Sequence, residues 1–192
     1  MIEIDLARAL ADHALLRGDF LLRSGRRSPY YLDKYRFETR PDLLGPLGEL
    51  IAREVAEHAG ETARLAGPEL GAVPLVAAAS LASGLPFLIV RKEAKEYGTS
   101  NRLEGVFEEG ECVCLVEDVV TSGGAAVSAV EALREAGLTC RTAVCVVDRE
   151  EGGADALARL AVRLRPLFRA SELLGGEKPQ ENGMVEPKPG PC

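Results

Sequence analysis

VCLVEDVVTSGGAA, Val113–Ala126, is the stretch on which the fold turns. With Cys112 in front of it, five apolar residues run into two acids, Glu117 and Asp118. Val119 and Val120 follow, then Thr121-Ser122-Gly123-Gly124, then small helix formers. The apolar run reads as a buried strand over 112–117. The residues after the turn read as a helix from about Gly124 to Ala136, closed by Gly137.

Working outward, the same alternation recurs. Ile4, Leu6, Leu10 and Leu15 follow a helical rhythm over 3–16, ending near Gly18. FLLRSGRRSPYYLD, residues 20–33, reads as two short strands around a Ser-Gly turn. Pro41–Ala59 is an amphipathic helix with Pro near its start and Gly60 at its end. ARLAG (63–67) and FLIVR (87–91) are strands, separated by an Ala-rich helix over Pro74–Ser83. TAVCVVD (142–148) and AVRLRPL (161–167) are two more, with a short helix over Ala154–Leu160 between them. Alternating strands and helices imply a mostly parallel sheet with helices on both faces, an α/β fold. Residues 92–105, KEAKEYGTSNRLEG, are too polar to pack and read as a long mobile loop, which in a compact domain is usually functional. The tail from Gly175 to Cys192 holds eight Gly or Pro and almost nothing apolar, so it cannot offset its ordering entropy and is expected to be disordered.

The whole chain has 192 residues, with 46% hydrophobic and 28% charged, which suits a single globular domain. A net charge of −7 disfavours a nucleic-acid binder. No apolar run is long enough to span a bilayer, and MIEIDLARAL lacks the pattern of a secretory signal, so a cytoplasmic protein is expected. Cys112, Cys114, Cys140 and Cys145 lie in Val-rich segments and read as small buried hydrophobes, since C-x-C plus C-x4-C without nearby His matches no common zinc spacing. His13 and His58 read as solvated helix residues, which argues against imidazole catalysis.

In a parallel sheet, ligands collect beyond the carboxyl ends of the strands. There, the N–H groups of a Gly-rich turn and the positive end of a helix form a phosphate cradle. Thr121 and Ser122 add hydroxyls, and Gly123 and Gly124 let the backbone approach. Acids repel phosphate, but they suit sugar hydroxyls, Mg²⁺ or positive charge developing on a sugar ring. A ribose 5-phosphate unit spans such a site. The pattern is neither the Walker loop nor G-x-G-x-x-G. An ordinary strand–turn–helix joint with a solvated acid pair is the alternative.

This segment resembles the phosphoribosyl-diphosphate (PRPP) signature of the type I phosphoribosyltransferases. The resemblance implies that Glu117 and Asp118 hold the ribose hydroxyls, with Val119 beside them, and that Val120, Thr121, Ser122, Gly123, Gly124 and Ala125 cradle the 5-phosphate. RKEAKEYGTSNRLEG, residues 91–105, resembles the catalytic loop of the orotate enzymes of that family. It implies that Arg91, Lys92 and Lys95 meet the diphosphate, with Lys95 contributing to catalysis beside Glu117 and Asp118, and that the loop is shared across a homodimer. Lys or Arg there would stabilise the charge growing on the leaving diphosphate. Tyr97 stands where several members carry His; it can bind phosphate but cannot shuttle a proton near neutrality. Residues 20–33 resemble the family's N-terminal base-binding hood, counted as residues 1–35 of a domain spanning 1–174. On that resemblance Arg23, Tyr30, Tyr31, Thr121 and Arg149 bind orotate. GPELGAVPLV, residues 67–76, resembles the diphosphate-contacting turn; some members have Lys at the place of Gly71, and its absence implies that backbone amides alone bind there. Mg²⁺ is expected to ride on the substrate rather than in a protein cage. The expected partners are orotate and PRPP, with no nucleic acid and no membrane. A purine phosphoribosyltransferase, or a PRPP- or nucleotide-sensing regulator of the same fold, are the alternatives.

Overall fold

The computed structural model of the protein describes residues 3–21, 27–93 and 102–175. Helix α1 (Glu3–Ala14) buries Leu6, Leu10 and Ala14 along one face. It stops earlier than its periodicity suggests. Leu15 pairs with Leu32 across a hairpin, so the chain has already turned into strand β1 (Leu15–Leu21), which runs antiparallel to β2 (Arg27–Leu32). Leu15 fits either element's apolar pattern, and the cross-strand partner decided between them. A single helical turn, α2 (Tyr35–Glu38), follows; it buries Phe37 and Glu38 and is too short to leave a periodic signal. Helix α3 (Pro41–His58) comes next.

The central sheet begins with β3 (Arg64–Pro68) and continues through α4 (Ala72–Ser83), β4 (Phe87–Val90), the two-residue β5 (Leu103–Glu104) and β6 (Cys112–Val120). It is completed by α5 (Gly124–Glu135), β7 (Thr139–Asp148), α6 (Gly153–Ala158) and β8 (Arg163–Arg169), with a last turn α7 (Ala170–Leu173). The strand order is β5-β4-β3-β6-β7-β8. All neighbours are parallel except β4 and β5. The mostly parallel sheet with helices on both faces is therefore as expected.

Two cores flank this sheet. One joins α1, α3 and α4 to it through Leu47, Ile51, Leu75, Val116 and Val144. The other joins α5 and α6 through Ala129, Leu133, Leu157, Leu115 and Ala143. Strand alternation explains the split: Cys114 and Val116 go to the first core, Val113 and Leu115 to the second. Each such leucine, fully buried, contributes roughly 1.5–3 kcal/mol. The buried thiols of Cys114, Cys140 and Cys145 belong to this packing, as expected, and burial raises the pKa of all three.

Two expectations change here. Strand β6 does not stop at the acids. It runs on to Val120, because Val119 and Val120 still pair with Val147 and Asp148 of β7. The polar segment 92–105 is not wholly without structure. Leu103 is buried against the sheet and β5 pairs with β4, an anchor that a count of polar residues undervalues. Residues 94–101 of that segment, and the tail from 176 onward, lie outside the described residues.

Candidate active site

The carboxyl ends of β3, β6 and β7 meet at one edge of the sheet, where a parallel topology places its ligands. From β6 come Glu117 and Asp118, both buried. Beyond Val120 the chain turns through Thr121 and Ser122, both exposed, into Gly123 at φ 83° and the start of α5 at Gly124. That left-handed φ suits only glycine without strain. A Cβ on Gly123 would also lie 3.0 Å from the Cα of Gly153, so the turn is pressed against the start of α6. The exposed Gly124 and Ala125 open the first turn of α5, and its orphan N–H groups face outward. The backbone N–H of Arg149 donates to the Val120 carbonyl at 2.9 Å, which ties the end of β7 to this turn.

The acid pair is not alone. Lys34, just before α2, reaches Asp118: Nζ lies 2.5 Å from Oδ2. Glu38, one turn further, is buried and neither carboxyl oxygen receives a hydrogen bond. Burial first, and then the charge of Asp118, push Glu38 up to about 8, with Lys34 opposing. A carboxyl held protonated can donate to Asp118, which reconciles its lack of donors with its burial. Glu117 is pushed to about 8 by the same causes in the same order. Its Oε1 is buried without a partner. At neutral pH the site therefore carries less negative charge than its three acids suggest. For Lys34, burial works against the ammonium, but the hydrogen bond and charge of Asp118 outweigh it and raise its pKa. Lys34 and Glu38 were missed in the sequence. The only signal for them is the polar pattern of DKYRFE around two aromatics, Tyr35 and Phe37, which gives no hint of a partner 84 residues away.

On the opposite flank, Arg91 and Lys92 line a cleft of about 150 Å³ together with Glu69, Arg102, Ala125 and Ser128. Arg91 Nη1 lies 3.5 Å from Glu104, and the backbone N–H of Lys92 donates to Glu69 at 2.8 Å. Arg102, also missed, clips the returning chain to α5: it donates to the Arg91 carbonyl at 3.2 Å and to Ser128 at 3.0 Å. Lys95 and Tyr97 lie outside the described residues, as does Arg23.

Arg149 is buried and its guanidinium stands 4.9 Å from the ring centroid of Tyr30, a residue of the N-terminal hairpin. Its Nε is 3.0 Å from Glu151. Asp148 accepts the backbone N–H of Glu150 at 2.9 Å and so turns the chain directly after Arg149. Tyr30 and Tyr31 do not form one wall. Successive strand residues face opposite ways: Tyr30 is buried, while Tyr31 is exposed and packs on Phe20 at 5.7 Å. The structure thus joins Tyr30 to Arg149, and Glu117 and Asp118 to the Gly turn, and leaves Tyr31 on the outer face of the hairpin.

A larger cleft, about 450 Å³, lies elsewhere, between α3 and α4 near Arg53, Ala56, Ser83 and Leu85. It opens at the amino end of the strands and contains none of these groups. Among the described residues, the grouping able to hold a metal ion is Glu54, Glu57 and His58 on α3, also away from the acid pair.

A parallel sheet carrying an acid pair and a Gly turn at the end of its central strand, beneath an N-terminal hairpin, defines a type I phosphoribosyltransferase. The chain is 54% identical over 158 residues to the orotate phosphoribosyltransferase of Methanocella arvoryzae, an alignment covering 82% of this chain and 89% of that one. It belongs to the orotate phosphoribosyltransferase family. The crystal structure of the Aeropyrum pernix orotate phosphoribosyltransferase superposes with a TM-score of 0.80 at 34% identity, covering 88% of this chain and 96% of that one. The Mycobacterium tuberculosis H37Rv enzyme, solved in complex with PRPP, gives a TM-score of 0.75 at 29% identity, covering 89% and 98%. No protein-family model matches the chain.

Proposed function

We propose that the protein transfers the phosphoribosyl group of PRPP to N1 of orotate, giving orotidine 5′-monophosphate and diphosphate in pyrimidine synthesis. The observation that carries this reading is the end of β6: a buried acid pair followed directly by a glycine turn that opens a helix. In this reading Val120 to Ala125 grip the 5-phosphate through backbone N–H groups and the Thr121 and Ser122 hydroxyls. Glu117 and Asp118 face the 2′- and 3′-hydroxyls of the ribose. Arg149 meets the orotate carboxylate with Tyr30 against the ring, and Arg23 and Thr121 complete the base site, while Tyr31 on the other face of the hairpin stays outside it. Support for the base site comes from the Arg149–Tyr30 contact, which joins the hairpin to the end of β7.

The C1–oxygen bond to diphosphate breaks as N1 attacks from the opposite face, with inversion at C1. The N1 proton passes to water. The transition state resembles an oxocarbenium ion, and the adjacent carboxyl groups favour its positive charge. Arg91, Lys92 and Lys95, with Tyr97 beside them, stabilise the leaving diphosphate, Lys95 most in the transition state. No nucleophilic side chain takes part.

Mg²⁺ fits the site. The unpartnered buried Oε1 of Glu117 and the carboxylate of Asp118 are hard oxygen donors of the kind it prefers. Bound mainly through the diphosphate and the ribose hydroxyls, the ion would neutralise leaving-group charge. The catalytic unit covers residues 1–174 with its hood in 1–35, works as a homodimer that shares the 91–105 loop, and acts in the cytoplasm. No helix among the described residues is long and apolar enough to cross a membrane.

The test is direct. Protein, Mg²⁺, PRPP and orotate are mixed and the loss of orotate absorbance is followed, with uracil, adenine and hypoxanthine as competing bases. Consumption of orotate alone supports the proposal; consumption of a purine in its place overturns it.

A further inference from the structure

Lys34 occupies a place that a different residue could have filled. A Cβ built on Gly71 would lie 2.4 Å from Lys34 Nζ and 1.8 Å from Asp118 Oδ2. The ammonium and the carboxylate together fill the volume that any side chain at position 71 would need. Gly71 lies in the turn after β3, directly before α4, so the ammonium stands between that turn and the acid pair. Its placement is firm. Phe37, in the helical turn that Lys34 opens, is fully buried in the first core, and the neighbouring Asp33 N–H donates to the Ala14 carbonyl at 2.9 Å.

The charge at this point has a chemical purpose in a PRPP site. If the acids take the 2′- and 3′-hydroxyls, the diphosphate on C1 hangs from the neighbouring ring atom. It is then forced close to Asp118, Glu117 and Glu38. Without a cation between them, the substrate's most negative group would approach the Asp118 carboxylate with nothing to offset its charge. The Lys34 side chain keeps 34% of its surface exposed, against 7% for Asp118, so the ammonium can gain an anionic partner from solvent while staying beside Asp118.

We propose that Lys34 is a substrate-contacting residue, whose ammonium meets the diphosphate of PRPP beside the Gly71 turn and shields it from the acid cluster. This rests on reading the site as a PRPP site. It also revises the expectation that backbone amides alone serve this turn. Gly71 is glycine because the cation arrives from another element.

Calorimetry separates the possibilities. Lys34→Gln keeps a hydrogen bond to Asp118 and removes the charge. Binding of PRPP, inorganic diphosphate and ribose 5-phosphate is measured with Mg²⁺ present, for the wild type, Lys34→Gln and Lys34→Arg. Loss of one charge-assisted hydrogen bond predicts that Lys34→Gln binds PRPP and diphosphate at least about tenfold more weakly. Ribose 5-phosphate, which lacks the diphosphate, should stay within about threefold of the wild type, and Lys34→Arg should recover part of the loss. If Lys34→Gln binds PRPP as the wild type does, the assignment is overturned and the PRPP site stands. If all three ligands weaken equally, Lys34 is a prop for Asp118 and the assignment is again overturned. If the wild type itself fails to bind PRPP, the PRPP reading falls first. A melting curve verifies folding; should Lys34→Gln not fold, Lys34→Met takes its place in the same comparison.

Discussion

Glu38→Gln should make the ligand-free protein less sensitive to pH. Glu38 is 2% exposed, and burial, followed by the charge of Asp118, raises its pKa from 4.5 to about 8 in the folded chain, where Lys34, Asp33 and Asp118 all face it. In the unfolded chain the carboxyl returns to its ordinary value. Between these two values the native state holds a proton that the unfolded state has lost. A raised native pKa means that stability is fully present below the unfolded value and declines as pH rises toward the folded one. At about 1.4 kcal/mol per pH unit for one proton, the decline due to Glu38 comes to roughly 2–3 kcal/mol between pH 5 and pH 7. Because the group is buried, solvent screening takes little from this figure. Glutamine keeps the shape and cannot ionise, so that part of the slope should vanish. Urea unfolding at pH 5, 6, 7 and 8 measures it. The variant should gain on the wild type steadily across the series, by a total on the order of 2–3 kcal/mol at pH 7. Two stability curves that run parallel from pH 5 to 8 would refute the reasoning, since Glu38 would then be equally ionised in both states.

Four further outcomes follow from the site. Lys95→Ala should lower turnover by at least about tenfold with the melting temperature unchanged, as expected for a charge used mainly on the leaving group; near-normal turnover rejects its role. Gly123→Ala combines a left-handed φ of 83° with a Cβ 3.0 Å from Gly153, so unfolding and calorimetric titrations should show a loss of about 1–3 kcal/mol in stability and weaker PRPP binding. Gly153→Ala should disturb the same turn from the other side, because its Cβ would fall 2.7 Å from the Thr121 carbonyl oxygen; PRPP affinity equal to the wild type would argue that the turn does not bind phosphate. Arg149→Ala should raise the KM for orotate by about tenfold or more while the KM for PRPP moves little, and an equal rise in both would place Arg149 outside the base site.

Much of this was legible along the chain. Strand and helix periods, with Gly and Pro at the joints, specify the alternating order and hence a parallel sheet, because an apolar face must be buried wherever it lies. The acid pair and the Gly turn are adjacent in sequence, so VEDVVTSGG marks the proposed phosphate-binding edge before any tertiary contact forms. What adjacency cannot report is long-range partnership. Lys34 meets Asp118 across 84 residues, and Arg149 meets Tyr30 only once the hairpin folds over the end of β7. The apolar character of Leu15 suits both the helical and the strand period, and pairing with Leu32 settles it as strand. The extent of β6 was likewise decided by its neighbour, since hydrogen bonds to β7 carry the strand two residues past the acids. Local propensity and patterning act over a few residues, and these the chain alone determined. The protonation of Glu38 and Glu117 and the cation beside Gly71 depend on burial and on charges brought from distant segments, and only the folded structure decided them.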